Sequence, residues 1–552
     1  MRTTIAIILI GLLSQFIQAQ ELDKVSIDNV FKEWDSPDTP GCALGIIQNG
    51  ELVYGRGYGM ANLEYDIPIN TKSVFRIGST SKQFTAACIV LLEEQGKLKF
   101  DDKLSKFFPA FPDYADDITV LHLLNHSSGI RDYLAIAYLA GLGSDDFYTD
   151  EDVMNWLVNQ QENNFAPNEE FLYSNSGYWL LGQIVEKVSG QNMAEFAKKE
   201  IFEPLGMVNT HFHNDHTMVV PNRASGYRPG AGGYKISMTT LDMIGDGGIF
   251  STIEDLKIWD DHYYNSDVLS KEFWNTMSVP LTLNDGSKED YGKGIFNGEY
   301  KGLTTLSHGG AFVGFRAEMI RFPSEETTII VLANRADANP TGKAYQVADI
   351  ILKEKLKAQE QGESKAMDEG PKAIKLPKKQ LEKFCSSYWN NSGNYSRKIY
   401  LKDDTLRYAR SESNESSLVP IGKSEFKMLG VNVDLRVHFS ENKDGIKTMT
   451  VIIDGGDPIE AMAYEPVTYS EDEFKKFAGS YYSDELNVRY DLKMVDAELV
   501  LFVNDEKISS MSSIKANLLS NDRYGLFDFS DGDITTFKLM AGRVKNLQFV
   551  RK

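Results

Sequence analysis

The sequence predicts an α/β domain followed by an all-β region, and three observations lead to this fold class. Strand-forming segments occur near both ends of the first 358 residues and enclose a helix-rich middle. A polar, charged stretch at residues 359–376 is typical of a linker. Beyond it, helical periodicity gives way to short segments of alternating apolar residues, which are typical of strands. With 552 residues, the chain is too long for one core and is expected to form about three domains.

In chain order, the first strands are predicted at residues 40–59, on either side of Asn49-Gly50. This dipeptide is typical of a tight hairpin turn. Residues 79–260 are rich in helical periodicity, strands return at residues 291–334, and a helix over residues 342–358 ends the domain. The sequence therefore predicts a sheet built from both ends of the domain, with a helical insertion between them.

Residues 377–466 and 467–552 are predicted to form two related all-β units. The segment 381–388 parallels the segment 474–481 at an offset of 93 residues, and further matches follow at the same spacing. Each unit of about 90 residues can close an up-and-down barrel of about eight short strands.

The N-terminus is predicted to be a secretory signal peptide, residues 1–19. Arg2 precedes an apolar run, and Ala19 supplies the small residue at which cleavage is expected. The protein is therefore expected in a periplasm or outside the cell. The cleavage site has no cysteine, so a lipid anchor is not indicated. No later apolar run is long enough to span a membrane.

Composition excludes some classes of partner. The formal net charge of −21 argues against nucleic acid or an anionic membrane surface as a partner. A small molecule or a peptide is the expected partner, as substrate, and the oligomeric state is left open. Cys42, Cys88 and Cys385 are few and odd in number, so we expect small buried side chains rather than disulfides.

Three short motifs, in chain order, provide the parts of a serine acyl-transfer site: residues 79–82, 173–175 and 308–310. Ser79 needs activation, because a free hydroxyl is a poor nucleophile at neutral pH. Residues three apart share a helix face, so Lys82 can bring its amine beside the oxygen of Ser79. A poorly solvated lysine loses its proton more easily and can then act as a base. Ser79 is also predicted at a helix N-terminus, which favours negative charge.

These motifs resemble those of the class C β-lactamase-like serine hydrolases. That family also holds D-alanyl-D-alanine carboxypeptidases, D-stereospecific aminopeptidases and some esterases. The resemblance covers roughly residues 25–355 and implies the α/β sandwich of penicillin-recognising enzymes for a catalytic domain at residues 20–358. The two all-β units resemble the paired lipocalin-like barrels that follow the catalytic domain of some D-aminopeptidases. They are expected to be packing modules, although a barrel loop could wall the mouth of the active site. The segments that carry the resemblance are 75–82, 96–98, 101–104, 118–130, 173–178, 204–207, 247–252 and 308–310.

The resemblance also implies a role for each motif residue. Ser79 would form the acyl-enzyme, and Lys82 and Tyr173 would share the proton transfers, with either of them as the base. Asn175 would hold the lysine and the acyl side of the substrate. The backbone N–H groups of Ser79 and Ala311 would form the oxyanion hole. No cofactor is expected.

The third motif departs from the β-lactamase pattern. Those enzymes usually carry lysine, then threonine or serine, then glycine, where this chain has His308, Gly309 and Gly310. Histidine is only partly charged at neutral pH, and Gly309 has no hydroxyl to hold a substrate carboxylate. All three residues are still expected to line the substrate site. The motif favours a peptidase acting on D-amino-acid peptides, or an esterase. A β-lactamase is one alternative, and a penicillin-binding-like sensor or scaffold without turnover is another.

The sequence also contains a pattern that could bind a metal. His211, His213, Asp215 and His216 fit the zinc-binding pattern of metallo-β-lactamases. That fold needs further histidine ligands downstream, and few histidines remain. We therefore expect no catalytic metal.

Overall fold

The structure is a computed structural model that describes residues 22–143, 146–265, 269–356, 373–391, 393–411, 414–431, 435–453, 458–530 and 534–552. The predicted signal peptide at residues 1–19 lies outside the described residues, as do residues 359–372 of the predicted linker. Within the described ranges, no helix is both long enough and apolar enough to cross a membrane.

A six-stranded antiparallel sheet forms the centre of the first domain and combines both ends of that domain, as predicted. Cys42–Gln48 pairs with Thr327–Ala333, in a register that places Cys42 opposite Ala333. Thr327–Ala333 is rich in β-branched residues and is buried along its whole length, which fits a central strand covered on both faces. In order across the sheet, the strands are Phe296–Tyr300, Leu303–Phe312, Phe315–Phe322, Thr327–Ala333, Cys42–Gln48 and Glu51–Tyr58.

Helices cover both faces of this sheet. Lys24–Phe31 and Pro340–Ile351 pack on one face and share a buried apolar cluster with it. The helical region from residue 82 onward packs on the other face. The final helix was predicted at residues 342–358, and it begins two residues earlier and ends at Ile351. The α-helices of this domain are Lys24–Phe31, Lys82–Glu94, Leu104–Phe107, Val120–Leu124, Tyr133–Leu139, Asp150–Val158, Asn175–Ser189, Met193–Ala197, Glu203–Leu205, Ile253–Tyr264, Lys271–Ser278 and Pro340–Ile351.

The middle of the domain is mainly helical, but short strands interrupt it. Phe75–Arg76 and His211–Phe212 pair on either side of Ile249–Ser251. This small sheet holds the backbone just before the first motif, so it positions the start of the Ser79 segment. The other short strands are Met60–Asn62, Ile67–Pro68, Tyr227–Gly230, Gly233–Ile236, Leu281–Thr282 and Lys288–Glu289.

The first all-β unit is a closed barrel of eight antiparallel strands, as predicted. In Leu435–Glu441, buried residues alternate with exposed ones, because successive side chains point to opposite faces of a strand. The unit begins with the short helix Lys378–Leu381. Its strands are Ser386–Asn390, Tyr395–Lys402, Thr405–Ser411, Asn414–Pro420, Glu425–Met428, Leu435–Glu441, Lys447–Ile453 and Ile459–Tyr464.

The second all-β unit is also barrel-like, as predicted, with nine strands where about eight were expected. It is a sheet of nine antiparallel strands that curls into a nearly closed barrel, with Glu506–Ser510 and Ser512–Lys515 at its two edges. The extra strand arises because the chain breaks at Met511 into two short strands. After the helix Glu471–Phe474, the strands are Gly479–Ser483, Val488–Val495, Glu498–Val503, Glu506–Ser510, Ser512–Lys515, Leu518–Asn521, Gly525–Asp528, Thr536–Ala541 and Val544–Arg551.

The internal repeat is visible in the way both units begin. Each starts with one helical turn that leads directly into its first strand. In the first unit, the hydroxyl of Tyr388 donates to the carbonyl of Phe384 over 2.9 Å. At the corresponding position, Tyr481 donates to the carbonyl of Phe477, also over 2.9 Å. The 93-residue offset therefore reflects one structural unit used twice.

The second barrel is fused to the first domain by a shared core, whereas the first barrel has a core of its own. At this contact, Arg131 forms a buried ion pair with Glu485 over 2.6 Å. The backbone N–H of Gln161 donates to the same carboxylate, and Arg131 also donates to the carbonyl of Lys545. The hydroxyl of Tyr490 donates to the carbonyl of Leu139.

We expect Glu485→Ala to destabilise the junction between the catalytic domain and the second barrel. Removing one partner of a buried ion pair leaves an uncompensated charge, which costs about 3–5 kcal/mol. Arg131 keeps hydrogen bonds to Gln160 and Lys545, so the loss should lie at the low end. Scanning calorimetry should show the melting temperature lowered by several degrees.

The matched control is Glu506→Ala, which removes an exposed glutamate from a strand of the same barrel. Its melting temperature should stay close to that of the wild type, because surface substitutions are usually worth less than about 0.5 kcal/mol. Equal melting temperatures for the two variants would contradict a structural role for the ion pair.

Candidate active site

The residues of the first motif lie at the start of a helix that faces a large cavity. A 3₁₀ turn at Gly78–Ser81 leads into the helix Lys82–Glu94. Ser79 is partly exposed and lines a cavity of about 790 Å³. Lys82, three residues later, is completely buried. The predicted spacing therefore brings the hydroxyl to the cavity and the amine beneath it.

The amine of Lys82 has three hydrogen-bond acceptors. It lies 3.3 Å from the Ser79 hydroxyl oxygen, 2.9 Å from Asn175 Oδ1 and 2.5 Å from the carbonyl oxygen of Asp246. A lysine ammonium has three N–H donors, so these acceptors satisfy all of them. The contact with Ser79 is the one through which a proton can pass between the hydroxyl and the amine.

Tyr173 lies beside this amine with a free hydroxyl. The Nζ atom of Lys82 is 4.8 Å from the centre of the Tyr173 ring. The Tyr173 hydroxyl is buried and has no hydrogen-bond partner in the described part of the chain. The ring packs on His126, with 4.1 Å between the ring centres. Burial, with the nearby Lys82 charge, holds the pKa of His126 well below its usual value, so this neighbour is neutral.

Asn175 is oriented by a residue that the motifs did not identify. The backbone N–H and the side-chain Nδ2 of Asn175 donate to Asp132 Oδ2, over 2.7 and 2.9 Å. Because Nδ2 is committed to a carboxylate, Oδ1 must face the amine of Lys82. The other oxygen of Asp132 caps the helix Tyr133–Leu139. One buried carboxylate therefore fixes both a helix start and the amide of the second motif.

The predicted oxyanion hole lies where two backbone segments touch. Strand Leu303–Phe312 pairs with Phe296–Tyr300 only as far as Ser307, so its later residues leave an edge open toward Ser79. A Cβ on Gly310 would lie 1.9 Å from the carbonyl oxygen of Ile77. Gly78 has a φ of +55°, and a Cβ there would lie 2.7 Å from the backbone nitrogen of Ala311.

Side chains at Gly78 and Gly310 would therefore separate the two segments. Their absence lets the segments that carry the N–H groups of Ser79 and Ala311 meet at the cavity, as the predicted oxyanion hole requires.

His308 is almost completely buried, and both of its ring nitrogens are engaged. Nδ1 lies 2.6 Å from the carbonyl oxygen of Gly309, and Nε2 lies 3.0 Å from the hydroxyl of Tyr291. A carbonyl can only accept, so Nδ1 carries the proton and Nε2 accepts from the tyrosine. Burial, together with the nearby Lys82 charge, lowers the pKa of His308 to about 3. The sequence predicted a partly charged histidine, whereas the structure places a neutral one at the cavity.

A carboxyl group faces the second position of the third motif. Gly309 pairs with Glu318 across the sheet, and a Cβ on Gly309 would lie 3.0 Å from Glu318 Oε2. Burial raises the pKa of Glu318 to about 7, and Thr341 donates a hydrogen bond to it. In other family members, the resemblance implies a hydroxyl at the position of Gly309 that holds a substrate carboxylate. This chain instead has the buried acid Glu318 facing that position.

The second barrel contributes a residue to the cavity. Arg543 lies in the turn between Thr536–Ala541 and Val544–Arg551 and lines the cavity. Its guanidinium donates to Asp132 over 3.2 Å and lies 4.8 Å from the centre of the Tyr173 ring. The expectation that a barrel loop walls the mouth of the active site is confirmed. No motif predicted this residue, because it lies 411 positions away from Asp132 in the sequence.

The histidines of the rival metal pattern lie outside the cavity. His211 Nε2 is 3.2 Å from His213 Nδ1, while His216 pairs with Asp242 over 2.8 Å. Among the described residues, no three histidine, cysteine or acidic side chains come together in a way that could hold a metal ion.

Comparison with known proteins identifies a family. A family model described as Beta-lactamase matches residues 27–351. Penicillin-binding protein 4* of Bacillus subtilis (strain 168) is 31% identical over 431 residues, which are 74% of this chain and 92% of that protein. A D-aminopeptidase of Gluconobacter oxydans (strain 621H) is 26% identical over 310 residues, 56% of this chain and 58% of its own length.

Solved structures show the same fold. The octameric penicillin-binding protein homologue from Pyrococcus abyssi superposes with a TM-score of 0.55 at 25% identity, covering 80% of this chain and 100% of its own. The D-amino acid amidase from Ochrobactrum anthropi SV3 superposes with a TM-score of 0.52 at 20% identity, covering 60% of this chain and 99% of its own. These likenesses support the predicted fold class, the α/β sandwich of penicillin-recognising enzymes.

We expect Gly310→Ala to lower kcat strongly while the protein stays folded. The added Cβ would lie 1.9 Å from the Ile77 carbonyl oxygen, so the strand must move away and carry the Ala311 N–H with it. Losing one oxyanion-hole donor typically costs about 10²–10³ in kcat. Steady-state kinetics with a p-nitrophenyl ester would measure the change.

Gly143→Ala is the control, because a Cβ at that position makes only an ordinary contact of 3.5 Å with Asp146. Its kcat should match the wild type. Near-wild-type kcat for Gly310→Ala would rule out this account of the oxyanion hole.

Proposed function

The chain belongs to the beta-lactamase family and is a serine hydrolase, and we propose that it is an exported enzyme that cleaves small D-amino-acid peptides or esters through an acyl-enzyme on Ser79. One observation carries this proposal: Ser79, Lys82 and Asn175 form one hydrogen-bonded chain at the base of a cavity, with the Tyr173 hydroxyl free beside it.

In the first half of the reaction, the oxygen of Ser79 attacks the substrate carbonyl and gives its proton to the pair formed by Lys82 and Tyr173. The carbonyl oxygen becomes an oxyanion, which accepts hydrogen bonds from the N–H groups of Ser79 and Ala311. The bond to the leaving group then breaks, and the pair returns the proton to the departing amine or alcohol.

In the second half, water attacks the acyl-enzyme and gives a proton to the same pair. The tetrahedral intermediate collapses, the proton passes to the oxygen of Ser79, and the carboxylic acid leaves. Each proton that the pair accepts is returned in the following step, so the enzyme ends in its starting state. Lys82 and Tyr173 act here as one coupled acid–base system.

The third motif supports a peptidase or esterase rather than a β-lactamase. A substrate carboxylate near residues 308–310 would meet the neutral ring of His308 and the buried acid Glu318, instead of a cation and a hydroxyl. Neither group attracts an anion, and Glu318 repels one once it is ionised. β-Lactams and D-Ala-D-Ala peptides carry such a carboxylate on the leaving group, next to the scissile bond, so both are expected to be poor substrates.

The size of the cavity and its wall support small substrates. Arg543 of the second barrel lies beside Tyr173, so a long peptide would have to pass it. Among similar proteins, a D-aminopeptidase and a D-amino acid amidase act on D-amino-acid compounds, as their names state. The N-terminal segment supports export. A sensor without turnover is the less favoured alternative, because Lys82 and Tyr173 are both present and in contact with the site.

We expect a fluorophosphonate probe to label wild-type protein once, on Ser79, and to leave Ser79→Ala unlabelled. The reason is that, among the serines the structure describes, Ser79 alone combines exposure to the cavity with a contact to a buried amine. Intact-protein mass spectrometry, followed by peptide mapping, measures the labelling. Ser105→Ala is the matched control, a serine outside the cavity that should label like the wild type. A label that survives in Ser79→Ala contradicts the assignment.

A second prediction concerns substrate ranking. Values of kcat/KM for D-alanyl amides and short-chain esters should exceed those for D-Ala-D-Ala peptides and nitrocefin, because the latter two carry carboxylates. Turnover of nitrocefin about a hundredfold better than the others, or roughly 2.7 kcal/mol of transition-state free energy, would overturn the ranking. Absence of turnover for every compound, with an intact fold, would favour the sensor.

A further inference from the structure

The side chain of Arg76 is a buried cation at the active-site cavity that the proposed mechanism leaves unused. It lines the cavity of about 790 Å³ and is only 6% exposed. Burial lowers the pKa of Arg76 to about 10, and the charge of Asp246 opposes that shift, so the guanidinium is still charged at neutral pH. A buried charge is costly unless it is paired, or unless a ligand supplies the partner.

Arg76 has no such partner among the described residues, none of which forms an ion pair with it or accepts a hydrogen bond from it. Its guanidinium packs over the rings of Phe312 and Phe250, with 5.1 and 5.8 Å to the ring centres. A guanidinium has five N–H donors, which two ring faces do not satisfy. Of its three nitrogens, Nε alone is completely enclosed without a partner. The two terminal nitrogens therefore keep exposed surface and free donors.

Arg76 also lines a second, much smaller space, which it shares with His213 and Arg223. The volume of this cleft is about 20 Å³. Such a volume has room for about one water molecule. An anion of the size of a substrate can therefore reach the guanidinium from the large cavity and not from the cleft.

Arg76 lies toward the acyl end of this cavity. The strand Leu303–Phe312 runs from the third motif through Ala311, the predicted oxyanion-hole donor, and ends at Phe312. In the proposed reaction the third motif faces the leaving group, so Phe312, on the other side of Ala311, lies toward the acyl group. The guanidinium of Arg76 packs on the Phe312 ring, and its charge therefore belongs to the acyl subsite.

The charges around the cavity favour an anion, in contrast to the formal net charge of −21 for the whole chain. Arg316 and Arg543 line the same cavity as Arg76. Among the described residues, the two acids that line it are Asp246 and Glu318, and burial raises the pKa of both. Arg316 and Arg543 each donate hydrogen bonds within the protein, so Arg76 is the cavity arginine whose donors are free.

We propose that Arg76 binds a carboxylate carried by the acyl group of the substrate, so that the enzyme acts on acidic acyl compounds such as D-glutamyl amides and esters. This inference rests on the proposed function and names its substrate class. A guanidinium and a carboxylate can form two parallel N–H···O hydrogen bonds, which suits the two free terminal nitrogens. The bound carboxylate supplies the partner that the buried charge lacks in the protein itself.

The test compares two p-nitroanilides that differ in one side-chain group, D-glutamyl and D-glutaminyl. A carboxylate and an amide have nearly the same size, so the ratio of their kcat/KM values reports recognition of charge. We expect the full-length wild type to prefer the D-glutamyl compound by about 10–100-fold, the range expected for hydrogen bonds to a charged group. In Arg76→Gln, this ratio should fall to about one, because the cation is gone. A wild-type ratio of one or less overturns the proposal, as does an unchanged ratio in Arg76→Gln.

Three further variants separate recognition by Arg76 from general effects of charge and structure. Arg223→Gln is the matched control, because it removes an exposed arginine from the small cleft on the other side of Arg76 and should keep the wild-type ratio. Arg316→Gln tests the other cation of the cavity: a ratio that falls to one there, and not in Arg76→Gln, assigns the carboxylate to Arg316 and contradicts the proposal. Arg76→Lys should keep part of the preference, because an ammonium keeps the charge but cannot form the parallel pair of hydrogen bonds.

The outcomes also separate this inference from the proposed function. If the wild type is labelled on Ser79 and hydrolyses p-nitrophenyl acetate, but does not prefer the D-glutamyl compound, the hydrolase stands and the role of Arg76 fails. If Ser79 is not labelled and no compound is hydrolysed, the proposed function itself fails. Should Arg76→Gln not fold, Arg76→Lys decides: a lowered ratio supports the proposal, and a ratio equal to that of the wild type overturns it.

Discussion

The buried amine of Lys82 is the constraint on which the rest of the site depends. A buried amine is tolerated only when each of its N–H donors has an acceptor. Those acceptors come from three separate parts of the chain: Ser79, Asn175 and the carbonyl of Asp246. The helix that carries the nucleophile, the helix that follows the second motif and the loop before Ile249–Ser251 must therefore all be in place at once. The hydrogen bonds of the Lys82 amine therefore hold the three segments of the site together.

From this lysine, hydrogen bonds continue outward to the second barrel. Asn175 is held by Asp132, and Asp132 also accepts from Arg543 in a barrel turn. The second barrel shares its apolar core with the catalytic domain, whereas the first barrel has a separate core. The two repeated units thus differ in strand number and in their contact with the first domain. Among the described residues, the second unit shares an apolar core with that domain, and the first has its own.

Much of this could be predicted from the sequence, because the main signals are local. The spacing of Ser79 and Lys82 is one helical turn, and the strands at both ends of the domain have a clear apolar pattern. The residues that escaped prediction act over long sequence separations: Tyr133 and Asp246 are 113 positions apart, and Asp132 and Arg543 are 411 apart. No periodicity or short motif carries such information. The neutral state of His308 also escaped, since it follows from complete burial, which a motif does not reveal.

The electrostatic pattern of the cavity follows from these buried groups. His308 is neutral because desolvation opposes its charge, and Glu318 has a raised pKa for the same reason. His308 and Glu318 therefore offer no cation to an anionic leaving group, whereas Arg316, which pairs with Ala311 across the sheet, brings one to the same cavity. Burial also raises the pKa of Asp246, whose main-chain carbonyl accepts from Lys82, while the nearby Lys82 charge opposes that shift. In the proposed reaction, the third motif thus presents a neutral ring and a buried acid to the leaving group, in place of the lysine and hydroxyl that are usual in β-lactamases.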